Sequence, residues 1–185
     1  VDIVPRMGES DGMLISADRN PNTNGARLVL GIEPGSRLDA IREGVRSGSV
    51  KGILTLGEDL TSPEAGFTAE ELDKLDYLFM TAHSANETAR HADLVLPGVT
   101  YAEKFGTMIN VTGRIQRLNR AIQPIGYARD DWQIFRDITL LLGGNPALKN
   151  FNSALDILTA MSTEYGALNG VSWGSIGDGG QPILE

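Results

Sequence analysis

Between Ser36 and Pro97 the chain alternates helix-spaced apolar stripes with short apolar runs, and this alternation restricts its folding more than any other feature. Leu38, Ile41 and Val45 lie three and four positions apart, which predicts an amphipathic helix over Ser36 to Arg46, with Ser36 as N-cap and Gly48 as stop. Gly52-Ile53-Leu54-Thr55-Leu56 follows as a buried strand. Thr68-Ala69-Glu70-Glu71 fits a capping box and opens a helix to about Leu75. Asp76 to Thr81 reads as a second strand, Asn86 as the cap of a short helix, and Leu94-Val95-Leu96 as a third strand halted by Pro97. Strands separated by helices pair in parallel, and parallel sheets bury both faces. The predicted class is therefore α/β, a Rossmann-like parallel sheet with helices on both faces.

Further along, Thr107–Asn110 and Arg114–Leu118 are spaced to form a small β-hairpin, with Gly113 at the left-handed position of its loop. C-terminal helices follow. One begins at Asp130 or Asp131 and carries Trp132, Phe135, Ile138 and Leu142 on one stripe before Gly143-Gly144 ends it. Another is capped by Ser153 and aligns Ala154, Ile157, Leu158, Met161 and Tyr165. The expected organisation is an irregular entry segment over 1–35, an α/β domain over 36–165, and a Gly-rich tail over 166–185 in which Val171, Trp173 and Ile176 dock.

Composition narrows the function classes. The 185 residues carry 24 acidic and 16 basic side chains, a formal charge of -8, which disfavours nucleic acid and anionic lipid as partners. No apolar run approaches the roughly 20 residues of a membrane span, so no direct membrane insertion is expected. There is no cysteine, hence no disulfide and no thiolate ligand for an iron–sulfur cluster; with two histidines and no ligand spacing, no metal site is expected. The first residue is Val1, as expected for a segment of a longer polypeptide.

In an open parallel sheet, ligands sit beyond the carboxyl ends of the strands. Two loops fill that place, Gly57-Glu58-Asp59 and Ala82-His83-Ser84. Asp59 can accept hydrogen bonds from a guanine or ribose edge; the alternative is that Glu58 and Asp59 are solvated turn residues. Ser84 lacks a nucleophile-elbow sequence, so His83 and Ser84 read as a polar loop. No phosphate-cradling glycine motif occurs, and Glu70-Glu71 and Asp130-Asp131 suit helix starts better than acid–base chemistry. No catalytic residue is assigned.

Several stretches resemble the molybdopterin oxidoreductase superfamily: Glu87-Thr88-Ala89, Ala92 to Pro97, Ala102-Glu103, Gly106-Thr107, Asn110, Gly113-Arg114, Gln116, Ala128 to Trp132, the upstream Asn24-Gly25-Ala26 with Gly31 and Pro34, and Gly57-Glu58-Asp59. The resemblance implies an α/β domain of a multidomain subunit whose iron–sulfur clusters belong to a preceding region. It also implies cofactor-binding positions at Gly57, Glu58, Asp59, Thr81 and Thr88, with Asp59 where an acidic residue meets guanine. Such enzymes often carry Gln-Asp after the second strand, where this chain has Thr81-Ala82. That departure favours, within the resemblance, the large iron–sulfur subunit of NADH-quinone oxidoreductase (complex I), with a degenerate pterin site and a structural role. No cofactor would then lie within this segment. Its partners would be the rest of its own subunit and other subunits of a respiratory complex, cytoplasmic and peripheral to the inner membrane. The alternative is a formate dehydrogenase-like domain holding molybdopterin guanine dinucleotide. A third reading is a free-standing regulatory α/β module.

Overall fold

The computed structural model describes residues 1–184, in two compact units. The first comprises Val1–Arg6, Ile32–Thr100 and Pro124–Asp131; the second comprises Met7–Gly31, Tyr101–Gln123 and the chain from Trp132 onward.

The first unit is built on strands β1 (Gly52–Leu56), β2 (Tyr77–Ala82) and β3 (Leu94–Pro97), all parallel, in the order β1-β2-β3. Helix α2 (Leu38–Ser47) ends on Gly48 at φ 74°, a left-handed geometry that glycine reaches without steric cost. Its N-cap position is Arg37, with no side-chain cap, rather than Ser36. Helix α3 (Ala69–Leu72) has the full capping box: Thr68 accepts from Glu71 N–H and Glu71 accepts from Thr68 N–H. It stops three residues short of Leu75. Helix α4 (Thr88–His91) is tied by Asn86, whose Oδ1 accepts from Ala89 N–H at 3.0 Å.

The core of this unit gathers Val4, Leu38, Val45, Leu60, Ala65, Phe67, Leu72 and Leu78, with Ile53 packed against it. Burial of a Leu or Phe contributes roughly 1.5–3 kcal/mol, so this cluster holds α2 and α3 against one face of the sheet. Ile53 and Leu78 are register partners on that face. Leu54, Phe79 and Leu94 are partners on the other. There Phe79 is 1% exposed, but Leu54, Leu56, Tyr77 and Leu94 remain 40–46% exposed. The expectation of a buried β1 therefore fails at Leu54 and Leu56. Central-strand side chains are covered from both sides, whereas an edge strand has a neighbour on one side only.

The second unit holds strands β4 (Gly106–Ile109), β5 (Arg114–Leu118) and β6 (Gln181–Pro182), paired antiparallel in the order β4-β5-β6. Gly113, at φ 73°, makes the hairpin turn, and an added Cβ would lie 2.6 Å from the Leu184 carbonyl oxygen. Helix α1 (Thr23–Leu30) lies inside the segment expected to be irregular. Its Asn-rich start masked it, because Asn22 is a poor helix former yet sits at the N-cap. Helix α5 (Asp131–Leu141) starts where expected, but its buried residue is Ile134, and Leu142 is 82% exposed. Helix α6 (Ala154–Glu164) has a Ser153–Asp156 capping box. Leu158 is buried in a core with Ile109, Ile115, Leu168, Val171 and Ile176, and Met161, Tyr165 and Trp173 pack against it. Val171, Trp173 and Ile176 thus dock as predicted, the last two within helix α7 (Trp173–Ile176). Among the described residues no helix is long and apolar enough to cross a membrane.

Candidate functional site

Parallel pairing brings the carboxyl ends of β1, β2 and β3 onto one rim of the first unit. At the end of β1 the chain turns on Gly57, φ 63°, whose N–H donates to the Thr81 carbonyl at 2.7 Å. Space beside its Cα is open, so the turn leaves room above the strand end.

Asp59 follows. Its Oδ1 accepts from Thr61 N–H at 3.1 Å, Thr61 Oγ1 at 2.8 Å and Thr88 Oγ1 at 2.8 Å. Thr88 is fully buried, and its hydroxyl also accepts from Leu60 N–H at 2.7 Å. This side chain at the start of α4 therefore aims a carboxylate at the end of β1. Partial burial pushes the Asp59 carboxyl up, but the hydrogen bonds from Thr61 and Thr88 outweigh it and hold it below the usual carboxylate range. Three donors converge on Oδ1, and the Thr88 backbone N–H also acts on the carboxylate. An ionised carboxylate held in this way offers about four lone-pair sites on its two oxygens and can accept from a further N–H or O–H donor.

The remaining predicted residues diverge. Glu58 is paired with Arg6, whose Nη2 lies 2.8 and 2.7 Å from its two oxygens. This pairing spans 52 positions, and no local pattern announces it. Thr81 is fully buried, and its hydroxyl donates to Asp131 Oδ1 at 2.7 Å. Sequence reasoning read Asp131 as a helix start; its carboxylate in fact also lies against the ends of β2 and β3. A Cβ on Gly98 would come within 3.1 Å of Asp131 Oδ1, which makes a side chain at Gly98 a tight fit. Gly57, Asp59 and Thr88 thus form one cluster, with Thr81 joined to it through its backbone alone.

A groove of about 420 Å³ lies in the second unit, and none of the five predicted residues lines it. Asn110, Arg19 and Arg117 do line it, but their polar atoms bond within the fold. Asn110 Oδ1 accepts from Thr112 and Arg114 N–H, Arg19 donates to the Glu9 carbonyl, and Arg117 donates to the Trp173 carbonyl. These bonds hold loops and turns rather than present a ligand site. Among the described residues, no cluster of His, Asp and Glu could hold a metal ion.

A parallel sheet with polar side chains gathered at its strand ends is the ligand-binding arrangement of open α/β proteins. The chain belongs to the molybdopterin oxidoreductase family: the family model described as "Molybdopterin oxidoreductase" matches residues 6–140. Among curated relatives, a Staphylococcus haemolyticus protein named "Putative formate dehydrogenase" is 32% identical over 138 residues, covering 74% of this chain and 14% of that protein. A protein of Staphylococcus aureus (strain USA300) with the same name is 31% identical over 153 residues, covering 77% of this chain and 16% of that protein. The chain thus spans about one seventh of the length of these relatives. Acetylene hydratase from Pelobacter acetylenicus shares the fold, with a TM-score of 0.59 over 83% of this chain and 22% of that one, at 16% identity.

Proposed function

We propose that this chain is the nucleotide-holding α/β segment of a formate dehydrogenase-like molybdopterin oxidoreductase, gripping the guanine end of its cofactor at Asp59. The observation that carries the reading is the fixed, ionised carboxylate at the end of β1: Asp59 Oδ1 is anchored by Thr61 and Thr88, whose hydrogen bonds hold the group below the usual carboxylate range. Guanine presents N–H donors on one edge, and an ionised acceptor matches them. The formate dehydrogenase name of the relatives supports this branch over the complex I branch. The pterin-bound metal would supply the redox chemistry; the residues of this chain bind and orient the nucleotide and take no chemical step.

Calorimetric titration with guanosine diphosphate tests the reading. Binding of guanosine diphosphate in preference to adenosine diphosphate is expected, because the adenine edge lacks the matching N–H pair. Absence of any heat at millimolar nucleotide sinks it.

One observation favours the second reading, a scaffold segment of the complex I large subunit with a decayed site. The Thr81 hydroxyl is taken by Asp131, and Ala82 brings no polar group to the rim. On that reading the domain packs against other subunits and binds no nucleotide, so the same titration separates the two.

A further inference from the structure

We propose that Asn169 is a self-modification site of the second unit, where the Gly170 backbone nitrogen attacks the asparagine side chain and converts it to isoaspartate. This goes beyond the nucleotide-holding reading and does not depend on it. Leu168 to Val171 form a type II β-turn: Asn169 has φ -57° and ψ 126°, Gly170 has φ 76°, and Val171 N–H donates to the Leu168 carbonyl at 2.9 Å. Leu168 and Val171 are buried in the second core, so both ends of the turn are pinned, while Asn169 and Gly170 are exposed. The peptide between the pins is not held. Among the described residues, neither the Asn169 carbonyl nor the Gly170 N–H makes a hydrogen bond, and the Asn169 side-chain amide has no partner. A Cβ on Gly170 would meet no atom within 4 Å, so the approach to its nitrogen is open. With no Cβ there, the peptide plane can rotate, as conversion between turn types requires, and this brings the nitrogen to Asn169 Cγ.

The step balances with water alone. The Gly170 nitrogen gives up its proton and bonds to Asn169 Cγ, the Cγ–Nδ2 bond breaks, and ammonia leaves carrying that proton. A five-membered cyclic imide remains. Water opens it at Cγ to give an ordinary aspartate, or at the main-chain carbonyl to give isoaspartate, whose backbone is one methylene longer. The same dipeptide occurs at Asn24-Gly25. There Asn24 Nδ2 donates to the Asn110 carbonyl at 2.8 Å and the Val111 carbonyl at 3.3 Å, its Oδ1 accepts from Arg27, and Gly25 is buried inside α1. These bonds hold the Asn24 amide in place, and the helix holds the backbone beside it. The fold, not the dipeptide, selects Asn169. The extra methylene of isoaspartate falls between Leu168 and Val171, both fixed in the core, so this product loosens the second unit, whereas an ordinary aspartate at an exposed turn does not.

The test incubates the full 185-residue chain at mildly alkaline pH, folded and in urea, and follows both asparagines by peptide mass mapping. In the folded chain Asn169 is expected to react about tenfold faster than Asn24 or more, because freeing Asn24 breaks hydrogen bonds whose net worth sets a factor of that order. In urea the two rates are expected to converge. Asn169→Gln, which would need a six-membered ring, is expected to stop the reaction. Gly170→Ala, whose Cβ crowds the nitrogen and hinders rotation, is expected to slow it severalfold. Circular dichroism checks that both variants fold, and Asn169 is exposed, so Asn169→Gln leaves the core intact. The aged chain is expected to show a lower thermal midpoint than the fresh one, and Asn169→Asp is expected to match the fresh one. Equal rates at Asn24 and Asn169 in the folded chain, or a difference that survives in urea, overturns selection by the fold. An Asn169→Gln chain that ages alike, or a Gly170→Ala chain that reacts as fast as the wild type, overturns the attack by the Gly170 nitrogen. An aged chain as stable as the fresh one overturns the coupling to the core.

Discussion

The two units each carry a three-stranded sheet, and they differ in where their polar side chains end up. In the second unit the strands are antiparallel, and the polar residues around β4 and β5 close turns. Asn110 caps its own hairpin, and Asn22 and Asn24 bond the backbone at Ile109 and Asn110. In the first unit the strands are parallel, so all three carboxyl ends meet on one rim. There Asp59 bonds Thr88 and Thr81 bonds Asp131, so both carboxylates lie at the strand ends. The lesson is that a polar residue in a loop has no fixed meaning. Parallel topology gathers strand ends and gives them a common ligand space; antiparallel hairpins use the same residue types to hold themselves together.

Core truncations are the hardest test of this two-unit picture. Leu78→Ala in the first core and Leu168→Ala in the second are each expected to cost about 2–5 kcal/mol, measured by urea denaturation. If each variant shifts a separate transition in calorimetry, the units unfold independently; a single shared transition merges them. Next in size, Asp59→Ala leaves the buried Thr88 hydroxyl without its acceptor and should cost about 1–3 kcal/mol. A stability loss under a few tenths would mean the Asp59–Thr88 bond does not hold the end of β1. Gly57→Ala should cost about 1–2 kcal/mol through its left-handed geometry, read as a lower thermal midpoint. Smaller again, Leu54→Ala on the open face is expected to cost well below the Leu78→Ala value, on the order of 1 kcal/mol. A loss as large as that of Leu78→Ala would show that the open face is covered in solution.

Acid titration compares the units through their capping carboxylates. Glu71 is held below its usual range by the Thr68 N–H and then by Arg46; Asp156 is held low by the Asn152 N–H and then by Ser153. Because each folded value lies below the unfolded one, the stabilisation is present above the ordinary carboxylate range. It is lost as pH falls through the depressed folded value. Glu71→Gln and Asp156→Asn should each flatten the acid side of the stability curve measured by circular dichroism. An unchanged acid slope in either variant would remove that carboxylate from the account.

Much of the fold was legible locally. The run Gly52 to Leu56, the Thr68 and Ser153 capping boxes, the Gly48 stop and the Gly113 turn all act within a few residues, so their patterns survive in the linear chain. Helix α1 was not legible, since Asn and Gly weaken the helical pattern that packing then enforces. The site was legible in part. Asp59 and Thr88 were both named, but the 2.8 Å bond that joins them across 29 positions was not. The Thr81–Asp131 and Arg6–Glu58 pairings, 50 and 52 positions apart, left no local trace.

By itself the sequence determined the alternation of helix and strand, the parallel class, the helix caps and the acidic, cysteine-free character that excludes thiolate-held clusters. Periodicity and capping are short-range effects, and they read the same in an unfolded chain. Only the tertiary structure decided that Thr88 anchors Asp59, which of Leu54 and Leu78 is covered, and that Thr81 turns inward to Asp131. Each of these depends on groups distant in sequence meeting at hydrogen-bond or van der Waals range. No linear pattern specifies that meeting until strand register has set it.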